Sequence, residues 1–386
     1  MLLSIVFLRF VLYKQEANRL KSNFWFLFFL FFLFALISAT MSDYQETAFN
    51  DVRKMLTVFV FFFLSLAVIT DEHFKKTLPS VFIWSISIAS LFSIVGYFFK
   101  IPLLVMDAGE KTLERGVGLS NDPNFFSSMI IFVIPFIINR LFGRYNVKTK
   151  VMAFFFLGIN LGALVLTYSR AGVLIFTFII IASLLIYRHK VKIRQIGFFL
   201  LFFVLVLIVV KVTIPDKFWQ RQLNLYETSD QSLSRRLTYL YVGWDAFIHN
   251  PLVGTGPGTF NELYARSKYV AAYIEETGER EYIEYYRDAH NSYVEIMTGM
   301  GAGGLLTILL IFGLVVRNYR KSIREFLSTG DSEHALLAKT YLISFISQAM
   351  FYLFLSFVYQ KYIWLLMALS QVALHAVRTQ NVKEGA

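Results

Sequence analysis

Cysteine is absent from all 386 residues. That rules out disulfides and thiolate metal sites and leaves the compartment undecided. Charged side chains are scarce at 16%, against 56% hydrophobic residues that include 42 Phe, and a soluble protein of this length could not hide so much apolar surface. No HExxH occurs and no two histidines share the spacing of a helical metal pair, so neither a catalytic metal nor any other cofactor is expected. "GTGPG" (254–258) lacks the lysine of a P-loop and the spacing of a dinucleotide fingerprint. No Asp-x-Asp pair is present for a metal-bound sugar nucleotide, and no internal repeat is evident. The first apolar run, Met1 to Leu12, ends at Tyr13-Lys14 without a small-residue cleavage site, so no cleavable signal is expected.

What is present is a series of nearly uncharged runs of about 17–25 residues, long enough to cross a bilayer as helix. Uninterrupted runs exclude a barrel, so the fold class expected is all-α: a polytopic transmembrane helix bundle of about ten or eleven spans, one integral membrane domain over 1–386. The segments are 24–41, 55–70, 78–99, 124–142, 151–168, 171–187, 196–214, 291–316, 337–357 and 360–376. Residues 1–12 are either interfacial or a further tilted span. The net charge of +11 would suggest nucleic acid in a soluble protein. Here the basic residues fall in short loops, which marks topogenic charge and no nucleic-acid partner. "YKQEANRLK" (13–21), "GRYNVKTK" (143–150), "YRHKVKIRQ" (187–195), "RNYRKSIRE" (317–325) and the tail with Arg378 and Lys383 share one side, the cytoplasm by the positive-inside rule. The other side holds 42–54, 100–123, the junction at 168–170 and a large insert over about 215–290. That insert contains an amphipathic helix whose apolar stripe is Leu233, Leu237, Leu240, Tyr241, Trp244, Phe247 and Ile248. "GTGPG" is a turn that brings the insert back over the bundle.

Several residues on the outer side are candidates for chemistry. Ser292 and Glu295 have capping-box spacing, so a helix starts at Asn291 or Ser292 with His290 just before it. The positive helix end and partial burial both favour neutral imidazole, able to accept a proton. Asp288 is close enough in sequence to bond the other ring nitrogen. Capping or headgroup contact is the plainer role for His290. Arg170, in "LTYSRAG" (166–172), stands between two apolar runs with almost no loop, and reaches either headgroups or a bound phosphate. Arg236 borders the apolar face of the amphipathic helix and points inward, as a lipid anchor or a second phosphate ligand. Asp122, in "NDPNFF" (121–126), is a natural cap; Asn124 faces either the helix interior or a cavity. Together, two fixed cations and one base suit a pyrophosphate leaving group and a hydroxyl nucleophile. Of the other histidines, His73, His189, His334 and His375 fall on the cytoplasmic side, and His249 ends the amphipathic helix.

At these residues the chain resembles the O-antigen ligase and polysaccharide repeat-unit polymerase superfamily. The matching pieces are "LTYSRAG", "SRRLTYLYVGWDAFIHNPLVGTGPGTF" and "DAHNSYVEIMTGMGAGGLL", in that order, and the likeness covers about 120–310. The resemblance implies an enzyme of the bacterial cytoplasmic membrane with its active site on the periplasmic or exterior face and its C-terminus in the cytoplasm. It implies metal-independent, inverting glycosyl transfer from an undecaprenyl-diphosphate-linked oligosaccharide donor to a lipid-linked glycan acceptor among membrane lipids, with a flippase and a chain-length regulator as partners. In that picture His290 matches the base, Arg170 and Arg236 hold the diphosphate, and Asp288, Asp122 and Asn124 support. The "NDPN" and "PLVGTGPGTF" segments lean toward a polymerase of surface polysaccharide repeat units. A ligase moving a finished glycan to lipid A-core or protein is the alternative, and a transporter or export partner without chemistry is the rival from another class.

Overall fold

A computed structural model of the chain describes residues 20–107, 114–120, 122–188, 231–270 and 287–384, with side chains of 106–107, 114, 231–235 and 378–384 left aside. The helices are α1 Trp25–Met41, α2 Gln45–Val68, a π-turn His73–Thr77, α3 Leu78–Phe99, α4 Pro123–Phe142, α5 Val147–Leu166, α6 Arg170–Tyr187, α7 Gln231–His249, α8 Phe260–Ala265, α9 Ser292–Ser328, α10 Ser332–Phe351 and α11 Lys361–Glu384. A small ribbon, β1 Val105–Asp107 and β2 Glu114–Gly116, pairs antiparallel between α3 and α4. Each expected span with described residues coincides at least in part with a helix, although 337–357 runs past the end of α10 at Phe351; 196–214 and 1–12 lie outside the described residues. Among the described residues, 5 helices are long and apolar enough to cross a membrane. The chain is an all-α multi-pass membrane protein.

Contacts gather into two compact units. The first comprises 1–68, 224–317 and 352–371. Here α1 and α2 form a hairpin cemented by aromatics, with Phe28 edge-on to Phe62 at 4.7 Å and against Trp364 of α11 at 5.5 Å. The expected continuous helix over 291–316 is instead broken: Gly301 takes φ 62 and ψ −163 inside α9. The broken backbone bonds to the "GTGPG" turn. Thr255 N–H donates to the Thr298 carbonyl at 2.9 Å, Gly256 N–H to the Gly299 carbonyl at 3.0 Å, and Ala302 N–H to the Pro251 carbonyl at 2.8 Å. Every backbone polar group that the helix gives up must find a partner away from water, and the turn supplies it. Gly254 has φ +78, and a Cβ there would lie 2.5 Å from the Gly299 carbonyl carbon, so the turn requires glycine.

The stripe named on α7 faces the other way from packing. Trp244 is 58% exposed and Leu237, Leu240, Tyr241 and Ile248 are exposed with it, while Tyr239 and Val242 are buried. The helix thus turns its apolar stripe outward and a narrower face to the protein.

The second unit comprises 69–223, 318–351 and 372–386. α4 is its central helix, with 72% of its apolar window buried, whereas α6 has 33% and leaves the rest for lipid. Small polar groups join helices across the unit. Asn160 of α5 bonds Ser87 at 2.7 Å and Ser90 at 3.0 Å on α3, and Gln348 of α10 donates to the Ser128 carbonyl of α4 at 3.0 Å. Such bonds favour association in hydrocarbon, where apolar contact alone gives little preference between helix and lipid.

Candidate active site

In the first unit the site is built on the start of α9. Asn291, not Ser292, caps the helix: its Oδ1 accepts from Tyr293 N–H at 3.0 Å and Val294 N–H at 3.2 Å. Ser292 is turned inward, where its N–H donates to the Tyr352 carbonyl at 2.8 Å and its Oγ to the Leu355 carbonyl at 2.6 Å. Glu295 therefore has no capping-box partner at Ser292. Its Oε1 reaches past His290 and accepts from Ala289 N–H at 3.3 Å.

His290 is held between these two fixtures with φ +48, a conformation few non-glycine residues adopt and one that persists only where the surroundings impose it. Its ring is half-buried and lies 5.9 Å from the Tyr239 ring of α7. Tyr239 in turn packs on Tyr264 at 5.0 Å and Phe260 at 6.2 Å, within a small core that also holds Val242, Val270, Ala289 and Val294. Arg236 is half-buried one helical turn before Tyr239, so it sits on the face of α7 that carries the contact to His290. Asp288 is exposed and lines a cavity next to this loop.

Arg170, Asp122 and Asn124 belong to the second unit. Asp122 is the cap the sequence suggests, its Oδ1 accepting from Phe125 N–H at 2.7 Å at the head of α4. Arg170 is the first residue of α6 and half-buried, with Ser169 capping that helix and Tyr168 at φ +51 making the sharp turn. One residue joins these pieces, and sequence reasoning did not single it out. Arg115 on β2 donates from Nε to the Thr167 carbonyl at 2.9 Å and from Nη2 to Asn124 Oδ1 at 3.2 Å. It ties the α5–α6 turn that presents Arg170 to the head of α4. The sequence offered little signal for it, since the same 100–123 segment also carries Lys100 and Lys111.

Among the described residues no three His, Asp or Glu side chains come together as a metal-binding group. Residues 152–309 match the family described as O-antigen ligase, a stretch that begins within α5, ends within α9 and contains Arg170, Arg236 and His290. No curated protein matches the chain.

Proposed function

We propose that this chain, a member of the O-antigen ligase and repeat-unit polymerase superfamily over residues 152–309, is a polymerase that extends surface polysaccharide from lipid-linked repeat units. It works as one integral domain of the bacterial cytoplasmic membrane, with the insert over 215–290 on the outer face and the C-terminus inside. In the reaction the acceptor hydroxyl oxygen attacks the anomeric carbon of the donor sugar from the face opposite the leaving group. The bond from that carbon to the undecaprenyl diphosphate oxygen breaks, the diphosphate carries away the electron pair, and configuration inverts. His290 takes the hydroxyl proton. Arg170 and Arg236 offset the charge that grows on the diphosphate, which is where fixed cations lower the barrier most.

The observation that supports this reading best is the placement of His290. It is a half-buried imidazole fixed at a helix start, in a strained backbone, against the face of α7 that carries Arg236. Strain of that kind is retained where a side chain must be aimed. The family description favours the ligase as second reading. One experiment separates the possibilities: purified protein in lipid nanodiscs, supplied with undecaprenyl-diphosphate-linked repeat units alone. A ladder of products is the outcome expected of a polymerase. Product that forms only after a second acceptor is added identifies a ligase, and none in either case leaves a transporter or export partner.

A further inference from the structure

Beside the His290 loop, the first unit encloses a cavity of about 280 Å³ that the transfer chemistry above leaves unused. Polar residues such as Asp51, Lys54, Asn261 and Asp288 line it together with apolar ones such as Phe260 and Met300. Its floor is firmly made. Asp51 at the head of α2 is buried, accepts from the Tyr359 hydroxyl at 2.6 Å and pairs with Lys54 Nζ at 3.0 Å. Burial, and then the Asp51 carboxylate, push the Tyr359 phenol well above its usual range, so it remains a donor. Gly258 takes φ +75 with its backbone against Asp51, where a Cβ would come within 2.7 Å of Asp51 Cγ.

Asn261 and Ser356 are also part of that wall, their Oδ1 and Oγ turned away from the open space and without a hydrogen-bond partner among the described residues. The Asp51 and Asp288 carboxylates against one ammonium disfavour a diphosphate but accept well from hydroxyl groups, and Phe260 suits the C–H face of a ring. The size is just under the ~300 Å³ at which small-ligand pockets begin, which fits one sugar ring and not a chain. Asp288 stands two residues before His290, and Glu295 holds the N–H of Ala289, so the cavity shares its wall with the loop that aims the base.

We propose that this cavity is a subsite for one neutral sugar ring of the acceptor glycan, whose hydroxyls bond to the Asn261 amide, Lys54 and the Asp288 carboxylate. The assignment of the ring to the acceptor rests on the transferase reading; the binding of a ring does not. The probes are the methyl glycosides of glucose, galactose, mannose and N-acetylglucosamine, offered to the full chain in nanodiscs and read by saturation-transfer NMR. At least one should receive saturation from the wild type, and Asn261→Leu should reduce that signal at least fivefold. Asp288→Ala, an exposed position tolerant of change, should reduce it as well and serves if Asn261→Leu lowers the melting temperature by more than a few degrees. With lipid-linked repeat units, Asn261→Leu should raise the KM for acceptor about tenfold at an unchanged KM for donor. Saturation of no methyl glycoside, or equal saturation in wild type and both variants, overturns the subsite. Glycoside binding that depends on Asn261 in a protein making no transfer product keeps the subsite and overturns the transferase instead.

Discussion

At the scale of single residues, His290 separates two effects that a simple deletion would merge. Its imidazole is the proposed base, while its φ of +48 is a backbone cost that any non-glycine residue at that place shares. Removing the ring as His290→Ala should lower transfer by about 10²–10⁴-fold, the usual contribution of a positioned base. His290→Gly should lose the same activity yet be more stable than His290→Ala by about 1 kcal/mol, because glycine adopts this φ without strain. Product-ladder assays and thermal melting check both halves. Wild-type ladders in either variant would remove the base, and equal melting would mean the backbone is not strained there. The sequence showed His290, Arg170 and Arg236 because each is an ionisable group at the edge of an apolar run. It did not show that Asn291 would outcompete Ser292 as the cap. Both are good caps by composition, and the choice was made by the Tyr352 and Leu355 carbonyls, which draw Ser292 inward and lie far away in the chain.

At the scale of elements, two glycines with similar φ make a controlled pair. A Cβ on Gly254 (φ +78) would strike the Gly299 backbone, whereas one on Gly330 (φ +76), after α9, would meet nothing within 4 Å. Gly330→Ala should therefore cost about 1 kcal/mol, from φ alone. Gly254→Ala should cost roughly 1–3 kcal/mol more, because the turn must also draw back from α9. Comparable melting temperatures for the two variants would contradict the docking of "GTGPG" on the broken helix. That break was illegible in the sequence because "GMGAGGLL" reads as a small-residue helix. It forms only because residues 251–256 arrive from elsewhere to bond Thr298, Gly299 and Ala302. The apolar centres of the segments were legible for the opposite reason, since apolar length and flanking charge are local properties, whereas α2 starts at Gln45 against an expected 55 and α10 stops at Phe351 against an expected 357.

The start of α10 carries a second element-scale prediction. Asp331 caps it, accepting from His334 N–H at 3.1 Å, and also bonds His334 Nδ1; Asp71 lies 3.3 Å from Nε2. His334 precedes the expected span. Burial disfavours its charged form, but the hydrogen bond and charge of Asp71, with the charge of Asp331, outweigh burial and raise its pKa above 6.5. A raised folded-state pKa contributes stability that is fully present below the unfolded value of ~6.5 and is lost as pH rises through the folded one. The melting temperature should fall as pH rises above ~6.5. Asp71→Asn, at an exposed partner, should flatten that fall, and an unchanged slope would exclude His334 as its source.

At the scale of the whole molecule, the lack of cysteine becomes a tool. The proposed orientation rests on arginine and lysine lying in 13–21, 143–150, 187–195 and 317–325, and it puts the insert over 215–290 outside. The proposed donor presents its diphosphate at the outer face, so the transferase proposal needs that sidedness as much as it needs His290. Because the native chain has no thiol, each introduced cysteine reports alone. Asn250→Cys, exposed after α7, and Val147→Cys, 77% exposed at the start of α5, change no charge and leave the topogenic pattern intact. In intact spheroplasts a membrane-impermeant maleimide should label Asn250→Cys and not Val147→Cys, and lysis should expose both. Labelling of Val147→Cys alone before lysis would put His290 and Arg236 on the cytoplasmic face, where the chemistry proposed for them has no outward-facing substrate to act on.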